Sequence, residues 1–216
     1  MTRANEDAVR ALPAERDFAA NILGTLALTV GDRVGIGTER AAGSGANAPA
    51  ALVTLRWYPD RPITQLALRL RISHPGAVQL SERLESAGLV ERFPGADGRT
   101  RLLSLTHEGE QAAHAVLAER RAVLGRAIEA VDDAALPVLV QAVGAMLDAL
   151  TDTLLTSEYM CRLCDEQSCP DDRCPVEGAE PSPPHRRGAG YGIEDTRTLR
   201  SPADLPESSG QRARAE

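Results

Sequence analysis

All four cysteines of the chain, Cys161, Cys164, Cys169 and Cys174, fall within the fourteen residues CRLCDEQSCPDDRC. Their spacing is C-x2-C-x4-C-x4-C. Thiolates are soft ligands, and four of them in one short segment can surround a single tetrahedral ion with Zn–S bonds of about 2.3 Å. Zinc is therefore the expected cofactor. An iron–sulfur cluster is a second chemistry for the same residues, because Cys169 and Cys174 each precede proline, as the last cysteine of ferredoxin-type runs does. A metal-free thiol switch is the third. Asp165, Glu166, Asp171 and Asp172 surround the thiols. Nearby carboxylates disfavour thiolates in a free peptide, and a divalent cation reverses that penalty, which favours metal. Spacing by itself does not separate the three.

The same spacing is similar to the zinc knuckle, C-x2-C-x4-H-x4-C, with Cys169 in the histidine position. The segment lacks the glycines and aromatic residues with which nucleic-acid-binding knuckles stack bases, since Arg162 and Leu163 stand there. It is thus expected to hold metal without reading nucleic acid. No run of eighteen apolar residues exists, and the N-terminus, MTRANEDAVRALPAERD, lacks the apolar core of a signal peptide. The expected location is the cytoplasm, where clustered cysteines bind metal or sense redox more often than they form structural disulfides. No membrane partner is expected.

A second chemistry resides in charge. The chain carries a formal net charge of −7, yet residues 56–101 contain eight arginines against five acids, a local balance of +3. A basic segment inside an acidic chain can contact phosphates without binding polyanions indiscriminately. The histidines, His74, His107, His114 and His185, are scattered and have no carboxylate pair or nucleophile to join, so no enzyme is expected.

The elements that must position these residues follow from periodicity. Aromatics make up only 3% of the chain, so the core is built from Ala, Leu and Val, a composition that favours helices. Residues 1–13 read as a flexible N-terminus. Phe18, Ile22, Leu26 and Val30 then recur four apart on an amphipathic helix. GTERAAGSGANAP reads as a loop. AALVTLRWY is a short helix stopped by Pro59 and Pro62, and ITQLALRL is a second with Ile63, Leu66, Ala67 and Leu70 on one face. Ser73 can cap SHPGAVQLSERLESAG, whose inward stripe is Ala77, Leu80 and Leu84, with Gly88 at the left-handed end position. LVERF and RLLSLT are strands joined by the turn PGADGRT. Thr106 caps a long helix, and a further one starts near Asp132, with Pro137 distorting its first turn and Leu136 to Leu154 as its apolar stripe. A four-cysteine module (158–177) and a disordered tail (178–216), rich in Pro, Gly, Ser and charge, complete the expected organisation.

Helix, turn, helix, strand, turn, strand is the order of a winged helix-turn-helix. In such an arrangement the second helix enters the major groove, about 12 Å wide, and the hairpin reaches adjacent backbone or minor groove. The exposed positions expected on that second helix are His74, Gly76, Gln79 and Arg83. Gln79 and Arg83 can hydrogen-bond base edges or phosphates, and His74 sits at a helix N-terminus that favours phosphate. Arg99 and Arg101 project from the hairpin.

The segment SERLESAGLVERFPGADGRTRLLSLTHEGE resembles the multiple antibiotic resistance regulator (MarR) family. The family's Leu-Glu helix end falls at Leu84–Glu85, its Gly-Leu-Val strand start at Gly88–Leu89–Val90, its wing at Asp97–Gly98–Arg99, and its Leu-Thr-x-x-Gly motif at Leu105–Gly109. The resemblance spans roughly residues 14–157. It implies a mainly α fold with a small β-hairpin wing and long N- and C-terminal dimerisation helices. It also implies a homodimer on an inverted-repeat double-stranded DNA operator, with half-sites about one helical turn apart. Asp97 would orient Arg99 into the minor groove. Gly98 replaces the first wing arginine, removing one phosphate contact per subunit. Pro75, Gly76 and Val78 stand where the family has small hydroxyl residues, so the recognition helix starts late or reads a different sequence. A small-molecule effector, in this family, binds between the dimer helices and the DNA-binding lobe; Trp57 and Tyr58 are expected to pack beneath that lobe. The cysteine cluster is an addition to the family pattern, placed where it would order the end of the last dimer helix. The rival reading is a metal-dependent protein-interaction scaffold that does not bind DNA.

Overall fold

The computed structural model describes residues 3–151, 154–169 and 174–176. Its elements are α1 (Arg3–Ala42), α2 (Ala48–Trp57), β1 (Arg61–Pro62), α3 (Ile63–Leu70), α4 (His74–Ser86), β2 (Val90–Pro94), β3 (Arg101–Leu105), α5 (His107–Ile128), α6 (Leu136–Leu150) and α7 (Leu154–Met160). This is the mainly helical architecture with a small wing that the segment order predicts. Among the described residues, no helix is long and apolar enough to cross a membrane.

The core forms around α2. Its residues from Ala48 to Leu55 are all buried, because small and aliphatic side chains on every face let α1, α3, α5 and β3 close around it. The same core contains Ile63, Leu66 and Leu70 of α3, Ala113, Val116 and Leu117 of α5, and Ala77, Leu80 and Leu84 of α4, which packs on α3 and β2. Both predicted inward stripes are therefore the buried ones. Arg71, with φ +51°, makes the turn between α3 and α4. Ser73 then caps α4 by accepting a hydrogen bond from the Gly76 N–H at 3.2 Å. Gly88 follows the end of α4 with φ +72°, the left-handed conformation expected there.

One junction ties the wing to α5. Thr106 Oγ1 donates to the Gly88 carbonyl at 2.6 Å and accepts from the Gly109 N–H at 3.0 Å, while the Thr106 N–H donates to the Leu89 carbonyl at 3.1 Å. The chains approach so closely that a methyl group at Gly109 would stand 1.9 Å from the Leu89 oxygen. Only glycine fits.

Several boundaries differ from the sequence reading. α1 starts at Arg3, inside the stretch read as flexible, and continues through GTERAA to Ala42. Ala, Glu and Arg are strong helix formers and carry the helix through segments that lack an apolar stripe. β1 pairs with β3 to make a three-stranded sheet of order β1-β3-β2, with Arg61 opposite Leu103. A two-residue edge strand containing Pro62 has no alternation to betray it. α6 begins at Leu136 rather than near Asp132, because the Asp132 carboxylate accepts from the Ala134 N–H at 3.0 Å and makes a turn. Pro137 sits in the first turn of α6, where no intrahelical donor is lost, and does not disrupt it.

Leu154 does not continue α6 either. Thr151 leaves the helix in an extended conformation, its hydroxyl donating back to the Leu147 carbonyl at 2.8 Å, and α7 is a separate element. Residues 1–2, 152–153, 170–173 (with Asp171 and Asp172) and 177–216, and so the predicted tail, lie outside the described residues.

Gly109→Ala is expected to cost at least about 2 kcal/mol, since neither Leu89 nor α5 can retreat without breaking the junction. Thermal unfolding should show a fall of several degrees; an unchanged midpoint would contradict the close approach.

Candidate nucleic-acid interface and cysteine cluster

α4 begins at His74, with Pro75 tolerated in the first turn, so the helix does not start late. Its buried stripe leaves His74, Gln79 and Arg83 exposed on the opposite side. Gly76, expected there too, is instead partly buried: its α-carbon turns toward the capping Ser73 hydroxyl, which would lie 3.2 Å from an added methyl. Glu82 and Ser86 share the outer face with Gln79 and Arg83 and were not singled out from sequence. Their offsets of three and four residues were the available signal. Glu82 can accept a hydrogen bond from a cytosine amino group, so the face carries donors and acceptors together.

The wing is organised by Asp97. Its Oδ1 accepts from the backbone N–H groups of Arg99 (3.0 Å) and Thr100 (2.8 Å), and its Oδ2 accepts from the Thr100 hydroxyl at 2.6 Å. The Thr100 bonds above all, then that from Arg99, hold the Asp97 carboxyl below the usual carboxylate range, so the turn keeps its acceptor at neutral pH. Asp97 thus orients Arg99 through the backbone rather than by gripping its guanidinium. Gly98 has φ +64°, which gives the position a conformational reason to be glycine where the family resemblance led us to look for arginine. Arg99 and Arg101 are both exposed. Arg92 on β2 pairs with Glu85 at the end of α4, at 2.8 Å, joining wing and recognition helix.

The cysteine segment does not extend α6, because α7 lies between them. After α7 the chain turns tightly, Cys164 N–H donating to the Cys161 carbonyl at 2.8 Å and Cys169 N–H to the Asp165 carbonyl at 3.1 Å. The turn lies against the lobe: Trp57 Nε1 donates to the Cys164 carbonyl at 3.1 Å, and Leu163 packs on the core. Asp165 accepts from Arg121 of α5 at 2.6 Å, from the Ser168 hydroxyl and from the Gln167 N–H. Burial opposes its ionisation, but these bonds outweigh burial and lower its pKa.

All four cysteines are free thiols and partly buried. Contact with Cys164, then burial, pushes the Cys161 thiol far up, and the nearby Cys174 and Cys169 add to this. Cys164 is lowered to about 7 by the same contact with Cys161, against its burial and with help from Arg120. Burial first, then Cys174, raises Cys169 to about 11. Cys161 and Cys164 thus act on each other, and Cys169 and Cys174 do the same. Among the described residues, no group of three or more His, Cys, Asp or Glu side chains is arranged to hold a metal ion as it stands. Trp57 and Tyr58 pack at the lobe as expected, Tyr58 beneath Arg69 at 3.8 Å. A recess of about 250 Å³ remains between α2, α5 and the cysteine segment, lined by Arg56, Trp57, His114, Leu117, Arg121 and Asp165 among others.

No family model and no curated protein matches the chain. Solved structures do. YusO from Bacillus subtilis is similar with a TM-score of 0.56 at 20% identity, over 65% of this chain and 97% of that one. A MarR family protein from Bacillus stearothermophilus gives 0.56 at 21% identity, over 64% and 98%. MepR, a transcription regulator of the Staphylococcus aureus multidrug efflux pump MepA, gives 0.52 at 14% identity, over 61% and 97%. With the capped α4, the three-stranded wing and the Thr106–Gly109 junction, these likenesses show that the chain has the winged helix-turn-helix fold found in MarR-type transcription regulators.

Proposed function

We propose that the chain is a transcriptional regulator that binds an inverted-repeat DNA operator as a homodimer. The observation that carries this reading is the presentation of His74, Gln79, Glu82 and Arg83 on a capped helix beside a wing that exposes Arg99 and Arg101. Helix and hairpin are fixed to each other by Glu85–Arg92, so the groove-reading and backbone-reading groups keep one geometry. The likeness to MepR, a transcription regulator, and to a MarR family protein supports the same reading.

The dimer is supported by what a single chain leaves uncovered. α6 has no buried residue, and its Val138, Val140 and Leu150 are each about two-thirds exposed. α1 exposes Phe18, Ile22, Leu26, Leu28 and Ile36. Apolar surface on this scale needs a partner, and a second copy supplies two such helices at once while setting two recognition helices a fixed distance apart. An effector beside Trp57 would have to be small and polar, because the recess there is below the about 300–1,000 Å³ of typical ligand pockets and is lined by charged groups.

The operator can be selected from random duplexes and affinities measured by fluorescence anisotropy. Failure to enrich any duplex would reject the DNA-binding reading in favour of a protein-interaction scaffold. Arg99→Ala should weaken operator binding about tenfold or more and leave the sedimentation of the dimer unchanged. Asp97→Ala should act in the same direction, because Arg99 then loses the backbone bond that aims it. Equal affinity of wild type and Arg99→Ala would reject the wing contact. Phe18→Asp combined with Val140→Asp should sediment as a monomer and lose operator binding; a dimer of normal affinity would show that these faces are not the interface.

A further inference from the structure

We propose that Cys161, Cys164, Cys169 and Cys174 bind one zinc ion, and that this ion staples the DNA-reading lobe to the apolar helix α6. The chain turns at Cys161–Cys164 and again at Asp165–Cys169, folding the first three cysteines back on one another, and the charges of Cys174 and Cys169 are felt at Cys161. A turn that places two cysteines three residues apart puts both sulfurs on one side of the backbone, the usual first half of a structural zinc site. None of the thiols is spent in a disulfide. Each would release its proton to solvent as it binds, and the ion's 2+ charge would offset two of the four thiolate charges. The second pair must swing toward the first to close the tetrahedron, since no three ligands are yet set around one point among the described residues.

What the staple would join is visible at its two ends. The first pair is anchored to the reading lobe, through Trp57 to the Cys164 carbonyl and through Arg121 to Asp165. Just before it, α7 leans on α3 and the turn that leads into α4. Arg69 pairs with Glu158 at 3.6 Å, and Arg71 both donates to the Thr156 hydroxyl at 3.0 Å and stacks 4.7 Å from the Tyr159 ring. Arg71 is the left-handed residue of the helix-turn-helix turn. The second pair ends at Pro175, whose Cβ lies 3.6 Å from where a side chain on Gly144 of α6 would begin, and the next residue, Val176, is buried. An ion shared by the two pairs therefore links α6 to the turn before the recognition helix. Losing it frees α7 from Arg71 and lets the lobe move relative to α6.

The test uses the full chain, purified reduced and without air, stripped with a chelator and titrated with cobalt(II) and then zinc(II). We expect cobalt to produce the visible bands of tetrahedral thiolate coordination, to saturate near one ion per chain, and to be displaced by zinc. Cys161→Ser with Cys164→Ser should abolish the bands. Emission of Trp57, the only tryptophan, should shift in step with metal, and proteolysis within α7 should slow. Iron and sulfide in the purified protein, absence of cobalt bands, or bands unchanged in the double variant would overturn the zinc site. Cobalt bands with unaltered Trp57 emission and α7 cleavage would overturn the staple. The effect on DNA rests on the regulator reading above: operator affinity should differ about 5- to 150-fold between stripped and zinc-loaded protein, and equal affinities would overturn that coupling. If neither form binds any DNA, the regulator reading fails while the cobalt titration still decides the metal site.

Discussion

The close approach of Gly109 to the Leu89 carbonyl is the constraint on which the arrangement of the reading lobe depends. At that point three things meet: the end of α4, the start of the wing and the first turn of α5. A single hydroxyl, Thr106, satisfies the Gly88 carbonyl on one side and the Gly109 N–H on the other. Helix α4, the hairpin and α5 are consequently tied together at one point. Had α5 stood one methyl radius further out, the wing would be joined to the lobe by side chains alone, and Arg99 could not be held in register with Gln79 and Arg83.

A division of labour follows along the chain. The lobe around α2 is complete within one chain, with its apolar residues buried and α4 and α5 capped by Ser73 and Thr106. α6 and the outer face of α1 are the opposite, apolar and uncovered. The cysteine segment and Pro175 touch the lobe at Trp57 and α6 at Gly144. A chain built in this way folds its lobe without help from the uncovered faces.

The reading lobe was legible in the sequence because its signals are local. Ser73 three residues before Gly76, the stripe Ala77–Leu80–Leu84, Gly88 in the left-handed position and Thr106 before α5 each depend on a few neighbouring residues. The family likeness came from the same stretch, and the fold bears it out. What was illegible depends on distance or on weak patterns. β1 is two residues long. The extension of α1 to Ala42 rests on helix propensity without a stripe. The hydroxyl of Thr151 turns the chain out of α6, although the apolar spacing runs on to Leu154. The docking of the cysteine turn rests on Trp57 and Cys164, 107 positions apart, and no spacing rule carries that. Gly76 was assigned to the outer face by helical period, which does not anticipate that a capping hydroxyl would occupy its side.

The arginines of the basic segment are for the most part already engaged. Arg56 is paired with Glu110, Arg69 with Glu158, Arg92 with Glu85, and Arg61 and Arg71 lie against tyrosine rings. Within that segment Arg83, Arg99 and Arg101 are the exposed arginines for which neither an ion pair nor a ring contact is seen among the described residues. Few condensed cations are then displaced when arbitrary duplex is touched, and the chain's overall −7 charge repels the remainder of the polyanion. A regulator of the kind proposed above would spend little time sliding on the wrong sequence, and its residence at a correct site would depend on base-edge fit rather than on charge.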